Sequence, residues 1–112
     1  MKTELKTIER IMLLGVLNNQ QGDLRTQRKI FRLLDRVEFS AAETQQIGLT
    51  ELPNGMVQWT DADTTWPVEF PDGNDLVLLR QWYRAFPWKG YPARTVVALA
   101  DKLGIRDDGS DG

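Results

Sequence analysis

The sequence predicts an α+β domain: three N-terminal helices, a small antiparallel β-hairpin or three-stranded sheet, and two C-terminal helices. Three observations carry this. Apolar residues recur at helical spacing over 3–18, 26–37 and 76–86. The turn Pro53-Asn54-Gly55 separates two short strand-like runs. Trp66, Val68 and Phe70 alternate with Pro67 and Glu69, the period of a strand.

Each element has its own signal. In the first helix, 3–18, Leu5, Ile8, Met12 and Val16 share one face, and the unbroken apolar run Ile11–Leu17 asks for burial on more than one side. Asn18 to Asp23 is a polar breaker. A second helix runs from about Thr26 to Val37, capped by Asp23 or Thr26, with Ile30, Leu33, Leu34 and Val37 facing the core. Ser40 and Glu43 have the spacing of a capping box, with Phe39 placed as a staple, so a short third helix spans 41–47 and stops at Gly48. Asn54-Gly55 suits a two-residue type I′ loop, which pairs Leu52 with Val57 and Thr50 with Trp59. Pro67 cannot donate to a ladder, so the third strand belongs at an edge. Asp72-Gly73-Asn74-Asp75 opens the fourth helix, whose Leu76, Leu79, Trp82, Tyr83 and Phe86 share an arc of about 120°. Pro92 and Gly104 bracket the fifth, with Ile105 folding back on Leu99 and Ala100 in a Schellman motif. Residues 1–105 then form a single domain and 106–112 a flexible acidic tail.

Composition limits the chemistry. The 112 residues contain no His and no Cys, which removes imidazole bases, thiol nucleophiles, disulfides and thiolate metal sites. No Walker loop or GxGxxG is present. Asp61-Ala62-Asp63 opens like a calcium loop, but Trp66 stands where the required Gly belongs. No carboxylate pair stands out by spacing, so the expectation is a protein that is not an enzyme and takes no cofactor or metal. The longest apolar run is too short to span a bilayer, and Glu4, Glu9 and the polar 18–23 stretch do not fit a signal peptide. The expected location is cytoplasmic, without membrane contact.

The net charge of −2 hides a sorted pattern. Residues 1–36 carry a net +4, residues 37–79 carry eight acids and no Lys or Arg, and 80–106 carry a net +5. In the second helix Arg25, Arg28, Lys29, Arg32 and Arg36 fall within about 100° of arc. Solvent or the acidic segment accounts for such a stripe most simply. The functional alternative is an anionic partner, nucleic acid or an acidic protein surface. The acidic segment likewise reads either as a solvated hairpin or as a surface that docks on a basic groove. Three helices followed by a hairpin is the order of a winged helix, yet neither the third helix nor the wing offers a cation for phosphate. Trp88 and Tyr91 lie in the break before the fifth helix, where they either cap the core or form an exposed aromatic hot spot beside Lys89 and Arg94.

Ile8 through Leu17, Gly22-Asp23 with Thr26, Phe39 through Glu43, Ile47-Gly48-Leu49 and Asn54 through Trp59 together resemble small accessory proteins encoded by bacteriophages and prophages. The resemblance covers about residues 5–60. It implies a phage accessory protein acting in the bacterial host cytoplasm and assigns no catalytic or binding residue.

The leading expectation is a non-enzymatic interaction module. It binds and modulates or inhibits a host protein complex, in the sharpest version a nucleic-acid-handling or defence complex. The acidic surface Glu43, Glu51, Asp61 and Asp63 is the preferred contact. The alternative is nucleic-acid binding through Arg25, Arg28, Lys29, Arg32 and Arg36 in a winged-helix-like fold. A third reading is a structural or assembly component that uses Trp88 and Tyr91.

Overall fold

A computed structural model describes residues 1–60, 64–71 and 73–106. Its order is β1 (Lys2–Lys6), α1 (Thr7–Asn18), α2 (Leu24–Val37), α3 (Ala41–Ile47), β2 (Thr50–Glu51), β3 (Val57–Gln58), β4 (Thr65–Glu69), α4 (Asn74–Ala85) and α5 (Ala93–Lys102). The α+β class and all five helices match the sequence reading. Three features of the strands do not.

First, residues 2–6 are a strand and α1 begins at Thr7, not at residue 3. Leu5 is buried as expected, but from the inner face of β1, while Lys2, Glu4 and Lys6 point outward. The Lys-Thr-Glu-Leu-Lys alternation has the period of a strand. Leu5 also fits the helical face of Ile8 and Met12, which masks the boundary. The Lys6 N–H, orphaned at the helix start, is taken by Glu9 Oε1 at 2.8 Å.

Second, β4 does not extend the hairpin. It pairs antiparallel with β1, giving two separate two-stranded sheets, β1–β4 and β2–β3. Met1 and Phe70 exchange hydrogen bonds at 2.7 and 2.8 Å. Counting inward from that pair, Glu4 and Pro67 face each other at a position without ladder bonds, so the proline costs the sheet nothing. The inner face carries Leu5, Val68 and Phe70, and outside them Lys2 lies opposite Glu69.

The hairpin register is also one residue away from the expected one: Thr50 faces Gln58 and Glu51 faces Val57. The loop is therefore Pro53-Asn54-Gly55, not Asn54-Gly55 alone. Gly55 N–H donates to Leu52 O at 2.9 Å, and Gly55 has φ +82° while Asn54 has no positive φ. Pro53 explains the change. Its ring fixes φ near −65°, the value for the first central position of a type I turn, and Gly55 then supplies the left-handed residue that closes a three-residue loop.

The helix boundaries follow local chemistry. The Asp23 carboxylate caps α2 by accepting from Thr26 N–H at 3.0 Å, which places the start two residues earlier than expected. Ser40 and Glu43 form the expected capping box, at 3.1 and 2.9 Å. Gly48 ends α3 at φ +65°. In α5, Ile105 N–H reaches Ala100 O and Gly104 N–H reaches Asp101 O, completing the Schellman motif.

One continuous core draws on β1, α1, α2, β4, α4 and α5, from Leu5 to Leu103. Met12, Leu13, Val16 and Leu17 of α1 are all buried, the many-sided burial its apolar run implied. Ile47 is buried beneath α3, and its carbonyl takes both Thr60 N–H and Thr60 Oγ1, fastening the hairpin's end to the helix. Among the described residues no helix is long and apolar enough to cross a membrane. Residues 107–112, most of the expected acidic tail, lie outside the described residues, as do Asp61, Asp63 and Asp72.

Candidate functional site

Of the four acidic residues singled out from the sequence, the structure describes Glu43 on α3 and Glu51 on β2, and their side chains face different surroundings. Glu51 is exposed on β2. Glu43 is turned inward to Arg10, and Asp61 and Asp63 lie outside the described residues. What the hairpin presents instead is apolar. Met56 is 63% exposed, and Val57, across from Glu51, is exposed beside it. Both line a groove of about 440 Å³ with Ile8 and Ile11 of α1, Trp59 and Tyr91. None of these lining side chains is charged.

Arg10 explains why Glu43 is turned inward. It is 4% exposed, a buried cation at the end of the first turn of α1. Its Nε donates to Val37 O at 3.0 Å and its Nη2 to Glu38 O at 2.6 Å, satisfying carbonyls at the end of α2. Its Nη1 reaches Glu43 Oε2 at 3.2 Å. The guanidinium also sits 4.1 Å from the ring centre of Phe39 and 5.2 Å from that of Trp66. Trp66 is held in turn by its indole N–H on Thr7 Oγ1. Burial pushes the Glu43 carboxyl up, but the Arg10 hydrogen bond and the Ser40 N–H outweigh it and leave the pKa below the ordinary value.

The basic stripe is exposed on α2. Arg32 is bound through two hydrogen bonds, at 2.8 and 3.0 Å, to Asp75 at the start of α4. That bond holds the Asp75 carboxyl below its ordinary range and the Arg32 guanidinium above its own. The side chains of Arg25, Arg28, Lys29 and Arg36 make no ion pair or hydrogen bond with the described residues. Phe31, on the same helix, is 64% exposed.

The aromatic break is part of the core's edge. Trp88 Nε1 donates to Tyr83 O at 3.0 Å, and its ring lies 4.6 Å from both Tyr83 and Phe86 and 5.5 Å from Tyr91. Trp88 and Tyr91 are half-buried against the core. Tyr83 donates to Val96 O at 2.6 Å; burial, and then the charge of Glu9, hold its phenol well above the ordinary range. Glu9 is buried and receives Lys102 Nζ at 2.6 Å. Arg80, also buried, donates from Nε to Leu103 O at 2.7 Å and ties α4 to the end of α5. Among the described residues no three carboxylates come together to hold a metal ion.

Comparison with known protein families, with curated proteins and with solved structures finds no match. The features the sequence reading missed are Phe31, Met56 and Val57 on the surface and Arg10 beneath it. Phe31 had a signal, since it falls outside the Ile30, Leu33, Leu34 and Val37 face. Arg10 had a weaker one: it lies between Ile8-Glu9 and Ile11 on a helix that is buried nearly all round.

Proposed function

We propose that this protein is a non-enzymatic interaction module whose α3–hairpin face docks on a partner protein. The observation that carries the proposal is the solvent-facing Met56–Val57 pair at the mouth of an uncharged groove. Contiguous exposed apolar surface with a polar border marks binding sites more often than free surface. Glu51 supplies an acidic border, and no Lys or Arg occurs between residues 37 and 79 to oppose a basic partner. On this reading the contact is apolar at its centre, with Glu51 as an acidic edge. In its fullest form the proposal is a phage-encoded accessory protein that modulates or inhibits a host complex.

The test is a tagged pull-down from bacterial lysate, with and without nuclease, repeated with Met56→Lys/Val57→Lys and with Glu51→Lys. A stoichiometric protein partner that survives nuclease and is lost with the Met56/Val57 change, at unaltered thermal unfolding, is expected. A partner retained undiminished by the double variant, or no nuclease-resistant partner at all, refutes the reading.

A further inference from the structure

α2 turns two adjacent ridges to solvent. At 3.6 residues per turn, Leu24, Arg28, Phe31 and Asp35 follow one ridge and Arg25, Lys29, Arg32 and Arg36 the next. The second ridge is cationic throughout and spans about 16 Å of helix. Among the described residues Arg32 alone on it is neutralised, by Asp75. Lys29 helps hold the Asp23 and Asp75 carboxyls low through space without pairing with either. Arg28 brings a fourth unpaired cation to the first ridge, one turn before Phe31. A large exposed aromatic amid unpaired cations has no role in the core, which α2 supplies through Ile30, Leu33 and Val37.

We infer that this face binds single-stranded nucleic acid, the cationic ridge tracking the phosphates and Phe31 stacking on a base. The two ridges supply the two components such sites combine, a charged track and an aromatic platform. The single strand is favoured over a duplex because Phe31 projects from mid-helix, and only an unstacked base offers it a ring face. Asp35 opposes the strand from one turn beyond Phe31, so its removal strengthens binding. This inference does not depend on the hairpin reading, since the residues are disjoint.

The experiment is fluorescence anisotropy of a labelled oligothymidylate of about 16 nucleotides, titrated with the full chain across a salt series. Four unpaired cations predict a log–log salt slope near −3, or about a 50-fold loss from 50 to 200 mM salt. Phe31→Ala weakens binding by roughly 5- to 100-fold at an unchanged slope. Arg25→Ala/Lys29→Ala/Arg36→Ala flattens the slope by about 2. Asp35→Asn tightens binding. All of these positions lie on the solvent side of α2, and thermal unfolding verifies that each variant is folded. No anisotropy change at low salt overturns the inference, as does binding indifferent to Phe31 and the cations. So does equal competition by a duplex of the same length or by poly-glutamate, which would identify a duplex or an acidic protein as the occupant.

Discussion

Replacing Arg10 by Met tests the internal architecture most directly. Met keeps an apolar stem of similar length in a buried site and removes the charge. The change strands two carbonyls, Val37 O and Glu38 O, and leaves Glu43 without its cation. It also removes the guanidinium that lies against both Phe39 and Trp66. Each carbonyl left without its donor costs about 1–3 kcal/mol, and with the cation lost to the partly exposed Glu43 the total is about 3–5 kcal/mol. A domain of this size has roughly 5–15 kcal/mol in total, so a large share of the stability is at stake. At about 4 °C per kcal/mol, the midpoint of thermal unfolding falls by about 12–20 °C. Urea unfolding measures the free energy, with Arg25→Met, an exposed cation, as a control expected within about 0.5 kcal/mol of the parent. Glu43→Gln costs less than Arg10→Met, because Arg10 keeps both carbonyl bonds. The double variant is less destabilised than the two changes added together, since each removes the same pair. An Arg10→Met protein within about 1 kcal/mol of the parent would refute the view of Arg10 as the pin joining α1, α2, α3 and β4.

Other outcomes follow from the same contacts. The carboxyls of Glu43 and Asp75 both titrate below their ordinary values, so their contribution to stability is complete above the usual carboxylate range and is lost as pH falls through the lowered values. The urea midpoint therefore declines below about pH 4, and Glu43→Gln/Asp75→Asn flattens that decline; an acid limb unchanged in the double variant would refute the assignment. Gly48→Ala places a Cβ at φ +65° and 2.8 Å from Thr60 Oγ1, and costs about 1–2 kcal/mol or more in urea unfolding. Tyr83→Phe leaves Val96 O without its 2.6 Å donor and costs about 1 kcal/mol by the same measurement.

The elements legible in the sequence were those whose signals are local. Ser40 with Glu43, Gly48, and Gly104 with Ile105 announce helix ends through contacts within one turn, and each was placed correctly. The errors arose where a distant partner decides. Residues 2–6 become a strand because β4 lies alongside, about sixty residues later, and Leu5 satisfies either period. The hairpin register has a local cause: Pro53, whose fixed φ selects the three-residue loop over the two-residue Asn-Gly turn. Among candidate surface residues, the exposure of the basic stripe was legible from the opposite apolar face of α2. The withdrawal of Glu43 was not, because nothing in the sequence joins residue 43 to residue 10.

Charge sorting along the chain overstates charge sorting on the surface. The acidic middle segment has eight carboxylates and no cation, yet Glu43 is spent on Arg10, Asp75 on Arg32, and Glu69 lies across from Lys2. On the described part of the hairpin only Glu51 remains, beside exposed Met56 and Val57. On α2, by contrast, pairing among the described residues consumes Arg32 and leaves Arg25, Arg28, Lys29 and Arg36 without an ion pair. Among the described residues the two faces therefore differ in kind more than in sign: one is apolar with Glu51 at its border, the other cationic with an exposed aromatic. Salt separates them experimentally. At 0.1 M ionic strength exposed charges are screened beyond about 10 Å, so contacts made through α2 weaken steeply as salt is raised. Contacts made through the hairpin rest on buried apolar area and hold. On the two proposals, a partner held by the hairpin keeps its affinity at high salt and one held by α2 is released by it.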